Sequence, residues 1–480
     1  MRTSHSDGAL ETLPSRQMVP YVPHNRGGNT PIPEEGEAPA EAGTFFIQIV
    51  HFGPNPGSML LPGHMRPEVK IPLTISFCED GEIRGTIPLQ ATTTIETILG
   101  RTVQHAGLPE RAPSTRRAHY GSNPGSILLR RHVQPEVRVP FVVFSFDGGG
   151  IRGLIPAYFM TFLEANLEMR THQFVDLLAG TSTGGLLALG LATPDENGQN
   201  ARYHARDILH LYKTRGPTIF TKRFANFGGL RNAAYESESF EGVLQELFGD
   251  IPLSGSLTRT LITSYDTERS KPVVFKSEKA RQNPQYDFAM RDTARGTSAA
   301  PTYFPPAEAF SRADQYGDHM RICAIDGGMF ANNPSMCAFS EVLHHYGDLV
   351  DVLLVSVGTG RATVPLPYVE ARDMGLIGWA KRLAGIAIDG PAIAVDYQLR
   401  QISQSFGGHL RYFRIQTELQ RENAAMDDVS PQNLATLEHR AEEMVRSSSV
   451  SRVLSLLRSL PPQEERQAFL QRRLAARNTQ

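Results

Sequence analysis

Residues Phe141–Leu167 read FVVFSFDGGGIRGLIPAYFMTFLEANL, and this stretch decides the fold. Its first part, Phe141–Phe146, is an almost continuous apolar run of the kind found in a buried strand. The glycine-rich segment Asp147–Gly153 then predicts a turn, and Leu154–Leu167 places apolar residues at helical spacing. Strand and helix patterns continue to alternate after this unit, which predicts an α/β domain.

The same periodicities predict the remaining elements. Strands are expected at Phe45–Val50, Phe174–Ala179, Leu261–Ser264, Val273–Phe275, Ile322–Ile325 and Val352–Val357. Helices are expected at Gly184–Ala192, around Phe240–Phe248, after the cap Ser430-Pro431 and around Val450–Leu457. The charged tail after Pro461-Pro462 is expected to be helical and weakly anchored.

Length and composition limit the class of protein. With 480 residues, of which 40% are hydrophobic and 20% charged, most of the chain is expected to fold as one large domain with extensions or as two domains. A formal net charge of −2 argues against a nucleic-acid partner held by bulk electrostatics. No apolar stretch reaches the about 18 residues that predict a transmembrane segment. Any contact with lipid is therefore expected to be peripheral.

Cysteine usage and the N-terminal sequence point to a reducing compartment. The three cysteines, Cys78, Cys323 and Cys337, show neither a disulfide framework nor metal-ligand spacing. The opening residues MRTSHSDGALETLPSRQ lack the apolar centre of a secretory signal. The sequence contains no HExxH or other metal-ligand cluster, so neither a metal nor a cofactor is predicted. The expected location is cytoplasmic, with peripheral attachment to membranes.

A second motif, GTSTG at Gly180–Gly184, places Ser182 between small residues. It follows an apolar strand and precedes a small-residue helix, which is the setting of a nucleophile on a sharp strand-to-helix turn. The helix N-terminus also directs its positive dipole toward the serine oxygen. The alternative is a turn that needs glycines and has no chemical role.

The glycine-rich turn offers backbone donors. The N–H groups of Gly148, Gly149 and Gly150 can approach a developing oxyanion. A phosphate-binding loop is the rival interpretation, because glycines at a helix N-terminus also suit phosphate. The spacing is not that of GxGxxG, and the Lys-Ser/Thr pair of a P-loop is missing. Arg152 is expected to brace the loop, with a phospholipid phosphate as its alternative partner.

A third motif, DGG at Asp326–Gly328, follows another apolar strand. Alone it predicts a turn. Beside a serine nucleophile, however, Asp326 also supplies a carboxylate that can take the serine proton. No histidine stands in a motif that marks it as a third member of a triad. The three motifs together favour a serine acyl hydrolase, and its supporting residues are predicted to be Arg152, Gly180, Gly184, Gly327 and Gly328.

An internal repeat precedes the domain. The segment HFGPNPGSMLLPGHMRPEVKIP starts at His51 and returns as HYGSNPGSILLRRHVQPEVRVP at His119. In a register of 68 residues, 19 of 38 aligned positions are identical. The tetrapeptide Asp147–Gly150 corresponds to Glu79–Glu82, EDGE, whose carboxylates would repel an oxyanion. The first copy is therefore predicted to be catalytically dead, and its strand Ile71–Phe77 is expected to pair at an open sheet edge.

The predicted organisation has five parts. They are a disordered segment over 1–43, a degenerate copy of the 119–156 element over 44–90, a linker over 91–118, the catalytic domain over 119–420 and a C-terminal helical extension over 421–480.

Further segments extend the pattern of motifs. TSAAPTYFPP lies at Thr297–Pro306, DGGMFANNP at Asp326–Pro334 and SVGTG at Ser356–Gly360. With the three motifs above, they resemble the patatin-like phospholipase family, which is related to the cytosolic phospholipase A catalytic domain. The resemblance extends from about Val142 to Phe413 and covers over half of the chain.

The resemblance implies both a fold and a mechanism. The fold is a three-layer α/β/α arrangement with a mostly parallel central sheet. The site is a Ser–Asp dyad with Ser182 as nucleophile, Asp326 as base and Gly148, Gly149 and Gly150 as oxyanion hole. The implied enzyme is a serine carboxylic-ester hydrolase of phospholipase A or lysophospholipase type, which releases fatty acid from glycerolipids through an acyl-enzyme. A lipid-binding or autoinhibited protein with little basal activity is the alternative, motivated by the degenerate repeat.

Two segments are candidates for contact with substrate presented at a membrane or micelle surface. Thr218–Arg231 interleaves phenylalanines with basic residues, which suits docking on an anionic surface or burial of the aromatic rings in the domain. Met374–Ile388 holds the only tryptophan, Trp379. It is expected to be a core helix, with a cover over the acyl pocket as the alternative.

Overall fold

The computed structural model describes residues 138–478 except 221–232 and 364, together with five strands in the first 131 residues. The chain divides into two compact units, Met1–Arg131 and His132–Gln480. The predicted disordered segment 1–43, the linker 91–118 and most of the segment Thr218–Arg231 lie outside the described residues. The five-part organisation stays a prediction.

The first unit contains an antiparallel sheet. Its strands are β1 (Phe46–His51), β2 (Leu73–Glu79), β3 (Glu82–Leu89), β4 (His119–Tyr120) and β5 (Ser126–Leu128). Their order is β3-β2-β1-β5-β4. The strand expected at the edge of the larger sheet is β2, and it pairs instead with β1 and β3. That expectation is wrong, because the residues that follow β2 supply its neighbouring strand.

The second unit is built on an eight-stranded sheet. Its strands are β6 (Val139–Phe146), β7 (Leu177–Thr181), β8 (Arg259–Asp266), β9 (Lys271–Lys276), β10 (Ala307–Phe310), β11 (Arg321–Asp326), β12 (Val350–Val357) and β13 (Leu410–Ile415). The order is β10-β11-β8-β7-β6-β12-β13, with β9 paired to β8. Strands β8-β7-β6-β12-β13 pair in parallel. Strands β9, β10 and β11 add antiparallel pairs.

Helices cover both faces of this sheet. They are α1 (Leu154–Leu167), α2 (Thr183–Ala192), α3 (Ala205–Ile219), α4 (Ser237–Phe248), α5 (Ser277–Gln282), α6 (Met290–Thr297), α7 (Gly328–Ala331), α8 (Ser335–Tyr346), α9 (Tyr368–Arg372), α10 (Leu376–Ser405), α11 (Pro431–Val445), α12 (Ser448–Ser459) and α13 (Gln463–Asn478). The predicted helix Leu154–Leu167 is found with the same bounds.

Strand β6 shows why its sequence is apolar at almost every position. Phe144 and Phe146 point into a cluster formed with α1, α2, α11 and α12. Phe141 and Val143 point to the other face, into a cluster formed with α8, α10 and α13. A strand buried on both faces needs apolar residues on both. The predicted three layers, with a mostly parallel central sheet, are confirmed.

The C-terminal helix α13 is firmly attached. Arg466 is buried and its guanidinium forms an ion pair with buried Asp176. It also donates to the carbonyl oxygen of Phe174 at 2.9 Å and to that of Pro140 at 3.1 Å. Asp176 accepts further hydrogen bonds from Gln467 and from the backbone N–H of β6. The prediction of a weakly anchored tail is wrong, because one arginine among many charged residues is buried.

Candidate active site

Ser182 lies on a strained turn between β7 and α2. Its backbone has φ 54° and ψ −125°, a conformation that L-residues with side chains seldom adopt. The backbone N–H of Ser182 donates to Oγ1 of Thr297 at 2.8 Å, which helps to hold this conformation. The turn projects a serine at the carboxyl end of a central strand, as expected of a nucleophile elbow.

The glycines beside Ser182 allow this turn to pack tightly. A Cβ on Gly180 would lie 2.3 Å from the carbonyl oxygen of Gly184. A Cβ on Gly184 would lie 2.3 Å from the carbonyl oxygen of Phe146 at the end of β6. No side chain fits at such separations, so the GTSTG pattern is required by the approach of α2 to two strands.

The sheet topology brings Asp326 to Ser182. Strand β7 lies along one edge of β8, where Thr181 pairs with Thr263, while β9 occupies the other edge. Strand β11 therefore pairs with β8 on the same side as β7, beyond the residue where β7 ends. In this pairing Asp326 lies opposite Ser264. Thr181 and Asp326 thus oppose consecutive residues of β8. The residue after Thr181, Ser182, consequently lies beside Asp326, and its hydroxyl is hydrogen-bonded to the carboxylate.

Asp326 is buried, and its surroundings alter its acidity. Burial raises the pKa of this carboxyl to about 6, although the hydrogen bonds from Ser182 and from the backbone N–H of Gly328 act in the opposite direction. The Gly328 N–H lies 2.7 Å from Oδ1 of Asp326. A Cβ on Gly327 would lie 2.3 Å from Oγ1 of Thr263, so glycine is needed where the chain turns after β11. The group stays ionised at neutral pH and is a stronger base than an exposed aspartate.

The three glycines of the loop after β6 differ in their roles. Gly148 packs against Ser182, since a Cβ there would lie 3.3 Å from Cβ of Ser182. Its backbone N–H already donates to the carbonyl oxygen of Asn332 at 3.1 Å. Gly148 therefore departs from the predicted role of oxyanion donor, because its N–H has a protein acceptor.

Gly149 and Gly150 keep their N–H groups without a protein acceptor among the described residues. Both glycines line the same cavity as Ser182. Gly150 has φ 59°, and a Cβ on it would lie 2.1 Å from the carbonyl oxygen of Met426. Within the described residues, both N–H groups are therefore available to donate to a bound group.

Arg152 braces this loop. Its Nε donates to the carbonyl oxygen of Gly149 at 3.3 Å, and its backbone N–H donates to the same oxygen at 3.2 Å. The side chain is buried, and burial lowers the pKa of its guanidinium. The contact fits the expected bracing role.

Three residues that the motifs contained without an assigned role support the site. Thr297 of TSAAP donates its hydroxyl to the carbonyl oxygen of Thr263 and accepts from the N–H of Ser182. Asn332 of DGGMFANNP accepts from Gly148, as described above. Thr359 of SVGTG donates to the carbonyl oxygen of Gly148 at 2.9 Å. The motifs were visible in the sequence, but their contacts depend on segments far apart in the chain.

A buried ion pair anchors the start of the loop. The Asp147 carboxylate faces the Arg414 guanidinium, with O–N distances of 2.9 and 2.5 Å. Arg414 also donates to Oγ of Ser356 at 2.8 Å. Both charged groups are buried, so each depends on the other for compensation. Sequence reasoning missed Arg414 because no motif marks it and it lies on β13, a strand that was not predicted.

A cavity of about 440 Å³ opens beside Ser182 and Asp326. This volume lies within the range of ligand-binding pockets. Its wall is mostly apolar and includes residues of the elbow, the loop after α6, and α10. The side chains that give it this character include Ile151, Leu186, Ile219, Phe220, Phe240, Tyr303, Phe304, Met329, Ile388 and Met426.

No group of three or more His, Cys, Asp or Glu side chains in the described residues is placed to hold a metal ion. None of the helices in the described part of the chain is both long and apolar enough to cross a membrane.

Comparison with known proteins identifies the family. A family profile described as patatin-like phospholipase matches residues 144–338, which contain the glycine loop, Ser182 and Asp326. Patatin-like protein 2 from Arabidopsis thaliana is 31% identical over 337 residues, covering 63% of this chain and 82% of that protein. The chain belongs to the patatin-like phospholipase family.

Other comparisons with this patatin-like chain differ in what they imply. Patatin-2-Kuras 3 from Solanum tuberosum is 31% identical, covering 63% of this chain and 83% of that protein. Probable inactive patatin-3-Kuras 1 from the same species is also 31% identical, covering 64% and 86%. The solved structure of human GIVD cytosolic phospholipase A2 aligns at 12% identity and a TM-score of 0.35, covering 86% of this chain and 77% of that chain. Family membership supports a lipid acyl hydrolase. Because one relative is named inactive, the assignment of catalysis to this chain rests on its own site residues.

Proposed function

We propose that this patatin-like protein is a serine carboxylic-ester hydrolase that releases fatty acid from glycerolipids through an acyl-enzyme. The observation that carries the proposal is the pairing of Ser182, on its strained turn, with buried Asp326 at the wall of a mostly apolar cavity. Both members of a nucleophile–base pair are then within hydrogen-bond reach of each other and open to an apolar substrate.

In the first step, the Ser182 oxygen attacks the ester carbonyl while its proton passes to Asp326. A pKa of about 6 leaves the carboxylate ionised at neutral pH and raises its affinity for this proton above that of an exposed aspartate. The tetrahedral intermediate carries its negative charge on the former carbonyl oxygen. The N–H groups of Gly149 and Gly150 are the donors proposed to stabilise it, and one such donor is typically worth about 10²–10³ in rate.

Collapse of the intermediate breaks the bond to the alcohol, and Asp326 returns the proton to the departing oxygen. Water then attacks the acyl-enzyme while Asp326 takes its proton, and the fatty acid leaves as Ser182 is restored. The same two side chains serve both halves of the cycle. The Gly148 N–H takes no part, since it donates to the carbonyl oxygen of Asn332.

The cavity supports an acyl chain as the group that is bound. Ser182 and Asp326 lie on its wall together with Phe220, Phe240 and Phe304, and these phenylalanines pack with one another or with Tyr235. Phe220 is the one aromatic residue of the segment Thr218–Arg231 that the structure describes, and two roles were predicted for these residues, docking on a lipid surface or packing inside the domain. Its place in this wall supports the interpretation of aromatic packing inside the domain.

A covalent probe tests the proposal. An alkyl fluorophosphonate should bond to the Ser182 oxygen with loss of fluoride, and peptide mass spectrometry should find the adduct on that residue alone. Ser298, which lines the same cavity, provides a matched control. Ser298→Ala protein should still be labelled, whereas Ser182→Ala protein should not. A folded wild-type protein that binds lipid but is neither labelled nor able to release fatty acid would instead be a silent lipid-binding protein.

A further inference from the structure

Helix α10 carries apolar residues on two opposite faces. On the inner face, Gly385 and Ile388 line the cavity, and Ala392 and Leu399 are buried. The outer residues follow each other at intervals of four, three, four, three and four, which places them on one side of a helix. They are Trp379, Leu383, Ile386, Gly390, Ile393 and Tyr397. We call this set the outer stripe.

Four of the five large side chains of the outer stripe are exposed to an unusual degree, and the fifth, Trp379, is half-buried. Leu383 is 53% exposed, Ile386 54%, Ile393 45% and Tyr397 65%. A surface helix normally has one apolar face toward the core and a polar face toward water. A contiguous row of exposed apolar side chains instead marks a surface that contacts another protein, a membrane or a ligand. Packing within the described domain explains the inner face of α10 but not the outer stripe.

The outer stripe is continuous with the entrance to the cavity. Gly385 and Ile388 lie between its members in sequence and form part of the cavity wall. Met329, on α7, also lines the cavity and is 44% exposed. The same helix therefore presents one face to the cavity and the other face outward.

We propose that the outer stripe of α10 is the surface on which the protein rests on a lipid–water interface, so that a lipid passes from the interface into the cavity beside it. This proposal rests on the proposed function, because it assumes an aggregated lipid substrate. A lipid surface fits better than a second copy of the chain, since a protein seated on the outer stripe would also cover the cavity rim. The stripe spans about 27 Å at 1.5 Å per residue and ends in Trp379 and Tyr397, the residue types favoured at lipid–water interfaces.

The charges beside the outer stripe predict which lipids it accepts. On one flank lie Arg382, Asp389, Asp396 and Arg400, two positive and two negative side chains, and Asp396 and Arg400 pair with each other at 3.0 Å. The other flank carries Ala387 and Ala394. Because the flanks have no excess of positive charge, binding is expected to depend on apolar burial, to occur on zwitterionic vesicles and to change little with salt.

The full-length Ser182→Ala protein and phosphatidylcholine vesicles provide the test, since binding can be followed without turnover. Trp379 is the only tryptophan in the chain, so its emission reports on α10 alone. Vesicles should shift this emission to shorter wavelength and carry the protein upward in a flotation assay. The double variant Leu383→Glu/Ile386→Glu should weaken vesicle binding at least tenfold and abolish the shift. Tyr316→Glu, at a side chain 80% exposed between β10 and β11, should bind as the parent does.

The same substitutions in active protein separate this proposal from the proposed function. With Ser182 present, the double variant should hydrolyse a short-chain ester in true solution at the parental rate and lose most hydrolysis of vesicle lipid. Equal vesicle binding by parent and double variant, or no vesicle binding by either, would overturn the surface while ester hydrolysis upheld the function. Stripe-dependent binding without any ester hydrolysis or probe labelling would uphold the surface and overturn the function. If the double substitution instead converted a dimer to a monomer with vesicle binding unchanged, the stripe would be a contact between copies and the proposal would be wrong.

Discussion

The two copies of the internal repeat are identical at 19 of 38 positions, yet the same residues form a strand in one copy and a helix in the other. IRGTIP at Ile83–Pro88 lies within β3. Its counterpart IRGLIP at Ile151–Pro156 forms a helical turn and the start of α1. The strands before them, β2 and β6, correspond almost residue for residue. No residue of β2 is identical to its counterpart in the second copy, whereas IRGTIP and IRGLIP are identical at five of six positions. An apolar pattern therefore keeps the strand before the turn, and near-identity does not fix the element after it.

The residues at the turn account for the difference. In the first copy Glu79 pairs with Glu82 in an antiparallel ladder, and the intervening Asp80-Gly81 is a dipeptide typical of two-residue hairpin turns. In the second copy Gly148 and Gly150 stand in place of Asp80 and Glu82, which gives three consecutive glycines. Gly150 adopts a positive φ, and the residue packed against it, Met426, leaves no room for a side chain. Propensity is weak compared with such tertiary constraints, so two hexapeptides that differ at one position form different elements.

The largest expected effect comes from changing Ser182 and Asp326, which lie after the second copy of the repeat and beside its glycine loop. Ser182→Ala and Asp326→Asn should each lower ester hydrolysis by about 10³-fold or more with the fold retained, because each removes half of a nucleophile–base pair. The double variant should be little worse than either single variant. The check is kcat/KM on a soluble ester together with circular dichroism. Substantial turnover in folded Ser182→Ala protein would contradict the assignment.

The next effect concerns the charge that anchors the second copy's loop. Arg414→Met should lower the free energy of unfolding by about 3–5 kcal/mol, since it leaves Asp147 buried without a counter-charge. Adding Asp147→Asn should recover most of that loss. Arg411→Met, at an exposed position on the same strand, should change stability by no more than about 0.5 kcal/mol. Denaturant unfolding measures all three, and an Arg414→Met protein as stable as wild type would remove the anchoring role.

Exchanging the turn residues tests the comparison directly. Gly148→Asp/Gly150→Glu places in the active loop the residues that the first copy has at Asp80 and Glu82. It should lower kcat by at least about 10²-fold, through loss of a donor geometry and through clashes at Asn332 and Met426. The reciprocal Asp80→Gly/Glu82→Gly exchange should leave hydrolysis unchanged. If the first exchange lowered the melting temperature but left the acylation rate intact, the glycines would serve only the turn.

The acidity of Asp326 predicts how activity and stability depend on pH. Hydrolysis of a soluble ester should fall about tenfold per pH unit below about 6, because only the ionised carboxylate accepts the Ser182 proton. Raised from its ordinary value of 3.8, the folded-state pKa makes the ionised group unfavourable to folding, and this cost grows as pH rises from about 4 to about 6. Asp326→Asn should therefore stabilise the protein by about 1–3 kcal/mol at pH 7.5 and by much less at pH 4. A pH–rate profile that stays flat down to pH 5 would argue against Asp326 as the base.

The smallest effect is expected from removing the first copy. Deletion of residues 1–118 should reduce solubility or stability while the hydrolysis rate per folded molecule stays the same. The deletion breaks the antiparallel sheet to which β4 and β5 belong and leaves strand edges unpaired. An unchanged melting temperature and activity would mean that the copy has no packing role. A large gain in activity would instead favour the autoinhibited alternative.

Patterns that repeat within a few residues were the predictable ones. The apolar run before Asp147, the helix Leu154–Leu167 and the cap at Ser430, whose side chain accepts from the N–H of Asn433, all follow from local periodicity or local hydrogen bonding. The segment around Trp379 was predicted less well. An apolar helix was visible, but its periodicity does not reveal that one face lines a cavity and the other is exposed.

The sequence alone determined the strand–glycine–helix unit, the serine between small residues and the aspartate before two glycines, because each is a short pattern imposed by close backbone packing. Only the tertiary structure decided that Thr181 and Asp326 pair with consecutive residues of β8, which brings the nucleophile and the base together. It also decided the burial that raises the pKa of Asp326 and the pairing of Asp147 with Arg414 across 267 positions of the chain. The physical reason is that strand register, desolvation and ion pairing depend on residues distant in sequence, whereas turns and periodic faces depend on neighbours.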